Sequence, residues 1–247
     1  MDRLANDSAG GAEQRQPPLS ISHLLAWTAL SAAMMWLRTR EDRFAQARDI
    51  FDTSQVIWRA FVAIYSGACV GGLMVFASRR LRRMQFPVAP GEWIWVWQGV
   101  SVLSAMPLET AYWYYVKTSM PGSYIVSTLV AAQYLISAIS FAVPALLCKE
   151  TGAWKRFLWM TAALVSLGAI VTISDVLAGF PAGSRRWLAI SLARHVIIAA
   201  VLVWTISVDL RHHVGRTWTH WVGVWILATG DGFQIVSEAL SLWLSPR

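Results

Sequence analysis

Seven apolar stretches of roughly twenty residues each limit the folding of this chain more than any other feature. They fall at 19–37, 56–77, 93–116, 124–148, 157–178, 187–208 and 221–244. About twenty apolar residues in helical form span the ~30 Å of bilayer hydrocarbon, where backbone polar groups must be bonded within the protein. Composition agrees: 56% of the 247 residues are hydrophobic and 14% are charged, against about 25% charged in an ordinary soluble domain. A soluble enzyme, a fibrous protein, a disordered chain and a disulfide-rich secreted module are thereby excluded. The expected fold is an all-α bundle of seven transmembrane helices, with six or eight as the alternatives.

Residues 1–18 are polar, carry Gly10, Gly11, Pro17 and Pro18, and are expected to form a disordered tail. The remainder, 19–247, is expected to be one transmembrane domain. Its connecting loops reach at most 18 residues, which leaves no room for a soluble catalytic domain, so function must lie within the bundle or its short loops. Ser31-Ala32-Ala33 loosely resembles a signal cleavage site, but the polar tail is long for a secretory signal and the first stretch is read as retained.

Lysine and arginine set orientation in a membrane. With the N-terminus inside, the inside segments hold 11 of them and the outside segments 8, and the cluster Arg79, Arg80, Arg82 and Arg83 is the strongest vote. These four arginines are expected to meet anionic lipid headgroups, each worth about 1 kcal/mol near the surface. The basic residues sit mostly in loops between apolar stretches, so the formal net charge of +7 points to membrane orientation and not to nucleic acid. Trp36, Trp58, Trp93, Trp95, Trp113, Trp187, Trp221 and Trp243 lie near stretch ends, where amphipathic rings favour the headgroup layer. Trp27, Trp204 and Trp225 lie deeper and are expected to pack between helices.

Charge inside hydrocarbon costs about 2.5–3.5 kcal/mol per residue on insertion scales, so each such residue needs a partner or a role. Arg59, Glu109, Asp175, Arg194, Asp231 and Glu238 fall within the apolar stretches, with His195 beside Arg194. Successive helices alternate direction, which puts Asp231 near the midplane and the other five charges in one half of the bilayer. Folding the last two stretches as an antiparallel hairpin brings Arg194 level with residue 237 and predicts an Arg194–Glu238 ion pair. Asp175 stands as a second carboxylate or a competitor, and Arg59 comes within reach of Glu109. Two readings follow: a polar cavity that holds a small ion or solute, or relays a proton, and a set of buried pairs that only fix helix packing.

Other stretches admit both a functional and a plainer reading. Thr229-Gly230-Asp231-Gly232 weakens a helix at mid-membrane, as in broken transporter helices, or else packs tightly with Asp231 bonded to Gln133 or Thr205. Gly67 and Gly71 form a G-x-x-x-G pattern that suits a close helix contact within the bundle or a homodimer. Pro107 and Pro144 are expected to kink their helices. His212, His213 and His220 are read as a solvated loop. Cys69 and Cys148 define no disulfide or metal pair, and no metal, haem or other cofactor is expected. The chain has no H-E-x-x-H, no P-loop and no G-x-S-x-G, so no catalytic residue is assigned.

The run Pro17-Pro18-Leu19-Ser20-Ile21-Ser22-His23-Leu24-Leu25-Ala26-Trp27-Thr28 resembles the opening of uncharacterised multi-pass membrane proteins of planctomycete bacteria. The resemblance covers about twenty residues. It implies a bacterial cytoplasmic membrane and carries no activity with it. From the residues themselves, the leading expectation is a small-solute or ion transporter or binding protein. Its site is built from Glu109, Asp175, Arg194, His195, Asp231 and Glu238. The alternative is a non-catalytic sensor or accessory subunit held together by the same charges.

Overall fold

The computed structural model describes residues 21–44, 53–83, 87, 89–117, 123–149, 152–178 and 185–244; within these, the side chains of 21–24, 37–44, 53–59, 109–117, 123–127, 176 and 244 lie outside the described residues. Among the described residues the chain is all-helical, with seven helices: α1 (Ile21–Phe44), α2 (Thr53–Leu81), α3 (Pro90–Lys117), α4 (Ser123–Leu147), α5 (Ala153–Leu177), α6 (Arg185–Arg211) and α7 (Trp218–Leu244). Each apolar stretch in the sequence corresponds to one helix. Ala60–Leu81, Thr128–Leu147, Ala153–Asp175 and Arg185–Arg211 are long and apolar enough to cross a membrane, and the chain is a membrane protein on that ground. The apolar part of α1, Leu25–Trp36, is shorter. α7 runs for 27 residues but is interrupted by Asp231, Gln234 and Glu238.

Neighbouring helices pack in chain order, and α7 closes the ring by lying against α3 and α2 as well as α6. Large apolar side chains such as Ile64, Leu135, Ile170 and Val203 point outward. Lipid tails are as apolar as leucine, so burial alone does not hold such helices together, and close packing of small residues must contribute. α1 and α2 show this directly. A side chain at Gly67 meets Ser31 of α1, and one at Gly71 meets Trp27. The small-residue face considered for a homodimer is therefore covered by α1 of the same chain. At α3 and α7 the contact is closer still, since a side chain at Gly223 meets the carbonyl of Gly91.

Two halves of the bundle differ. Toward the end where α3, α5 and α7 begin, Phe141, Ala145, Trp154, Phe157, Leu158, Leu202 and Val224 form a packed apolar plug. A second cluster joins Cys69, Val75, Trp95, Val96 and Ile226 between α2, α3 and α7. Trp27 meets Trp95 edge-on with ring centroids 5.9 Å apart, as its depth led us to expect. Trp95 itself is fully buried and donates to the Ala68 carbonyl at 2.8 Å, so it belongs to the core and not to the headgroup layer. Trp204 and Trp225 are 48% and 70% exposed; each lies on the outer face of its helix and turns to lipid instead of packing inside. α3 and α4 continue through Pro107 and Pro144.

The α1–α2 contact gives a direct stability test. Gly67→Leu forces α1 away from α2 and is expected to cost about 1–3 kcal/mol, the usual penalty of overpacking. Gly215→Ala, where a side chain meets nothing within 4 Å, is expected to leave the unfolding midpoint unchanged or slightly raised. Thermal unfolding of the purified protein checks both, and an unchanged midpoint for Gly67→Leu contradicts the contact.

Candidate functional site

Helical periodicity puts Ser191, Arg194, His195 and Ile198 on one face of α6, at spacings of three, four and seven. It likewise puts Leu227, Asp231, Gln234 and Glu238 on one face of α7. The antiparallel packing of α6 on α7 brings these two faces together. Ser191 Oγ donates to Glu238 Oε1 at 2.6 Å. Arg194 Nη2 donates to Ser191 Oγ at 3.1 Å and to His195 Nε2 at 2.9 Å. A guanidinium can only donate, so Nε2 is the acceptor and the ring carries its proton on Nδ1. That proton is donated to Asp231 Oδ1 at 2.7 Å. One neutral histidine thus joins the cation on α6 to the acid on α7.

Ser191, Arg194, Asp231 and Glu238 are each under 9% exposed. They are linked by the bonds through Ser191 and His195 in a setting where a lone charge is costly. Arg194 also lies over the Tyr134 ring, 4.7 Å from its centroid, a cation–π contact that gains strength where water is excluded. On the other side its head reaches Gly168 of α5, where a side chain would collide with Nη1.

Tyr134, Arg194, His195, Asp231 and Glu238 border a cavity of about 570 Å³ within the bundle, lined from all of α2 to α7. The volume lies within the range of small-molecule sites, about 300–1,000 Å³. Its polar wall includes Gln98, Ser101, Gln133, His195, Asp231 and Glu238; its aromatic wall includes Phe61, Tyr65, Tyr134 and Phe233. Phe61 stacks on Phe233 with centroids 4.5 Å apart and faces Tyr65 at 6.1 Å. Among the described residues eight buried side-chain polar atoms have no hydrogen-bond partner; Asp231 Oδ2, Glu238 Oε2, Gln133 Oε1, Thr161 Oγ1 and Arg194 Nε belong to cavity-lining residues, and Trp97 Nε1, Asp175 Oδ2 and His220 Nε2 do not. Buried polar atoms are nearly always bonded, so this set marks the cavity as chemically unfinished.

The sequence expectations divide accordingly. Arg194, His195, Asp231 and Glu238 come together. The direct Arg194–Glu238 ion pair is replaced by a link through Ser191, because the guanidinium is drawn sideways onto Tyr134 and His195. Asp175 is buried, with Oδ2 unpartnered, yet lies outside both the cavity wall and the Arg194 contacts. Arg194 meets α5 at Gly168, and Asp175 follows seven residues later, about 10 Å along the helix at 1.5 Å per residue. Asp231 is bonded to His195 and to neither Gln133 nor Thr205; the Thr205 hydroxyl donates to the Val201 carbonyl at 2.7 Å. The side chains of Arg59 and Glu109 lie outside the described residues.

A second buried polar cluster sits at the plugged end. Glu92 is fully buried, accepts the Ala89 amide at 3.2 Å and the Thr217 hydroxyl at 2.9 Å, and is bonded by Thr219 as well. The bond to Ala89 is the return half of a capping box, with Pro90 at the first helical position and the acid at the third. Ala89-Pro90-Gly91-Glu92 carries that signal in the sequence. Asp209 takes two bonds from Arg216, at 2.7 and 3.0 Å, and one from Trp154 Nε1 at 2.7 Å. His220, read from sequence as a solvated loop residue, is fully buried, while His212 and His213 are exposed. Arg79 is also buried, within electrostatic reach of Glu92, while Arg80, Arg82 and Arg83 are exposed.

Comparison with protein-family models, curated proteins and solved structures finds no match to the chain.

His220, just ahead of the apolar stretch 221–244, gives a pH test. Its Nδ1 accepts the Gly91 amide at 3.0 Å, which requires a neutral ring. Burial first, and then the charge of Arg216, push its pKa from the ordinary 6.5 down to about 4. The unfolded chain therefore binds this proton more readily than the folded one. The stabilisation is complete above about pH 6.5 and is lost as pH falls toward 4. The unfolding midpoint is expected to drop across that window and His220→Gln to flatten the drop; an identical pH profile in the variant contradicts the assignment.

Proposed function

We propose that this chain is a membrane transporter or binding protein for a small solute or ion, with its site in the central cavity. Asp231 is the coordinating or coupling acid, and Arg194 is the anion contact or counter-charge. The supporting observation is the cavity wall itself: two acids on α7 each retain a buried oxygen with no protein partner while lining about 570 Å³ of space. At the plugged end of the bundle, by contrast, both oxygens of Asp209 pair with protein groups. We place the chain in a bacterial cytoplasmic membrane with its N-terminus inside, on the lysine and arginine balance of its loops and the resemblance at residues 17–28.

Solute flux in proteoliposomes tests this reading. Asp231→Asn keeps a hydrogen-bond acceptor for His195 and removes the charge, so it is expected to leave the folded protein intact and to abolish uptake. Uptake by a folded Asp231→Asn variant at the unmodified rate contradicts the role of Asp231. A complete lack of flux or binding across a broad panel of ions and metabolites overturns the transporter reading.

A further inference from the structure

Resting on that reading, we infer that the cavity selects a small organic cation, a protonated amine with an apolar body, held at Asp231 and Glu238 against the Phe61–Phe233–Tyr65 wall. The sign of the available charge decides between cation and anion. Among the described residues two acids face one arginine on the cavity wall, and His195 accepts from Arg194 while donating to Asp231. Among the described residues the cavity wall therefore offers more acidic than basic side chains. Arg194 Nη2 is engaged by Ser191 and His195 and the guanidinium lies over the Tyr134 face, leaving Nε as its buried unpartnered donor. The carboxylates are only half used: Asp231 gives Oδ1 to His195 and Glu238 gives Oε1 to Ser191, leaving Oδ2 and Oε2.

A primary ammonium has three N–H donors and no acceptor. Three buried, unpartnered acceptors lie on this wall: Asp231 Oδ2, Glu238 Oε2 and Gln133 Oε1. Beside them stand aromatic faces, which attract a cation within about 6 Å of the ring. Tyr65 touches Gly230, the residue preceding Asp231, so the aromatic wall adjoins the acid. A bare metal ion fits less well. Such ions need oxygens at about 2.0–2.6 Å, whereas no group of three or more His, Cys, Asp or Glu side chains is gathered for a metal among the described residues. The cavity, at about 570 Å³, has room for a molecule.

The test uses the full chain in detergent and three probes of matched shape and different charge: benzylammonium, benzyl alcohol and benzoate. Isothermal titration and the unfolding midpoint report binding. Benzylammonium is expected to bind about tenfold or more tighter than either other probe, a difference of about 1.4 kcal/mol. Asp231→Asn and Glu238→Gln are each expected to weaken it about tenfold. Because the comparison on the unmodified protein stands alone, a variant that fails to fold does not remove the test. Preferential binding of benzoate overturns the inference and leaves a solute site built on Arg194. Equal binding of all three, or binding of none, also overturns it. Tight benzylammonium binding without flux supports the cation site while contradicting transport, so the two readings fail separately.

Discussion

The bond between His195 and Asp231 is the interaction on which the central half of this bundle depends. An acid near the middle of a membrane helix must be answered from another helix, and here the answer is a histidine whose other nitrogen is already occupied by Arg194. The ring's tautomer follows from that occupancy. Through Ser191 the same arginine reaches Glu238, so a single cation on α6 organises two acids on α7. Each helix contributes one face of a regular period, and the loop joining them is short enough to make them antiparallel neighbours. The network is a consequence of spacing as much as of charge.

Around that hairpin the bundle divides its labour by depth. One half is filled by Trp154, Phe157, Leu158 and Leu202 and tied beyond them by Glu92, Asp209, Arg216 and His220. These buried acids have most of their oxygens bonded, as the interior of a protein requires. The other half leaves space, and its acids keep free oxygens. Close helix contacts at Gly67, Gly71 and Gly223 hold the walls in place, since lipid supplies no hydrophobic force between helices. Glu92 and Asp209 have both oxygens bonded, whereas Asp231 and Glu238 each keep an unpartnered oxygen on the cavity wall, and that contrast between acids supports reading the second group as a site.

The helices were legible because apolar runs of this length have one stable form in lipid. So was the convergence of Arg194, His195, Asp231 and Glu238, which needs only helical period and alternating direction. Finer geometry was not. Reflection through a hairpin gives depth and says nothing of the direction a long side chain takes, so the pull of Tyr134 on Arg194 and the bridge at Ser191 stayed hidden. The same blindness to direction misplaced Asp175 and turned Trp204 and Trp225 inward when they face lipid. Glu92 and His220 were missed for a different reason. Both flank apolar stretches, where a polar residue reads as loop, and their burial depends on α3 and α7 meeting at two glycines far apart in sequence.

Water access to the cavity is the most direct measure of this account. Cys69 and Cys148 are buried, so single cysteines can be placed at Ser137 and Gln234 on the cavity wall and at Leu202 in the apolar plug. A water-soluble thiol reagent is expected to modify Ser137→Cys and Gln234→Cys about tenfold or more faster than Leu202→Cys, because the reactive thiolate forms only where water stabilises it. Equal, slow modification of all three would mean that the centre of the bundle is packed and dry, and would contradict the cavity on which the functional reading rests.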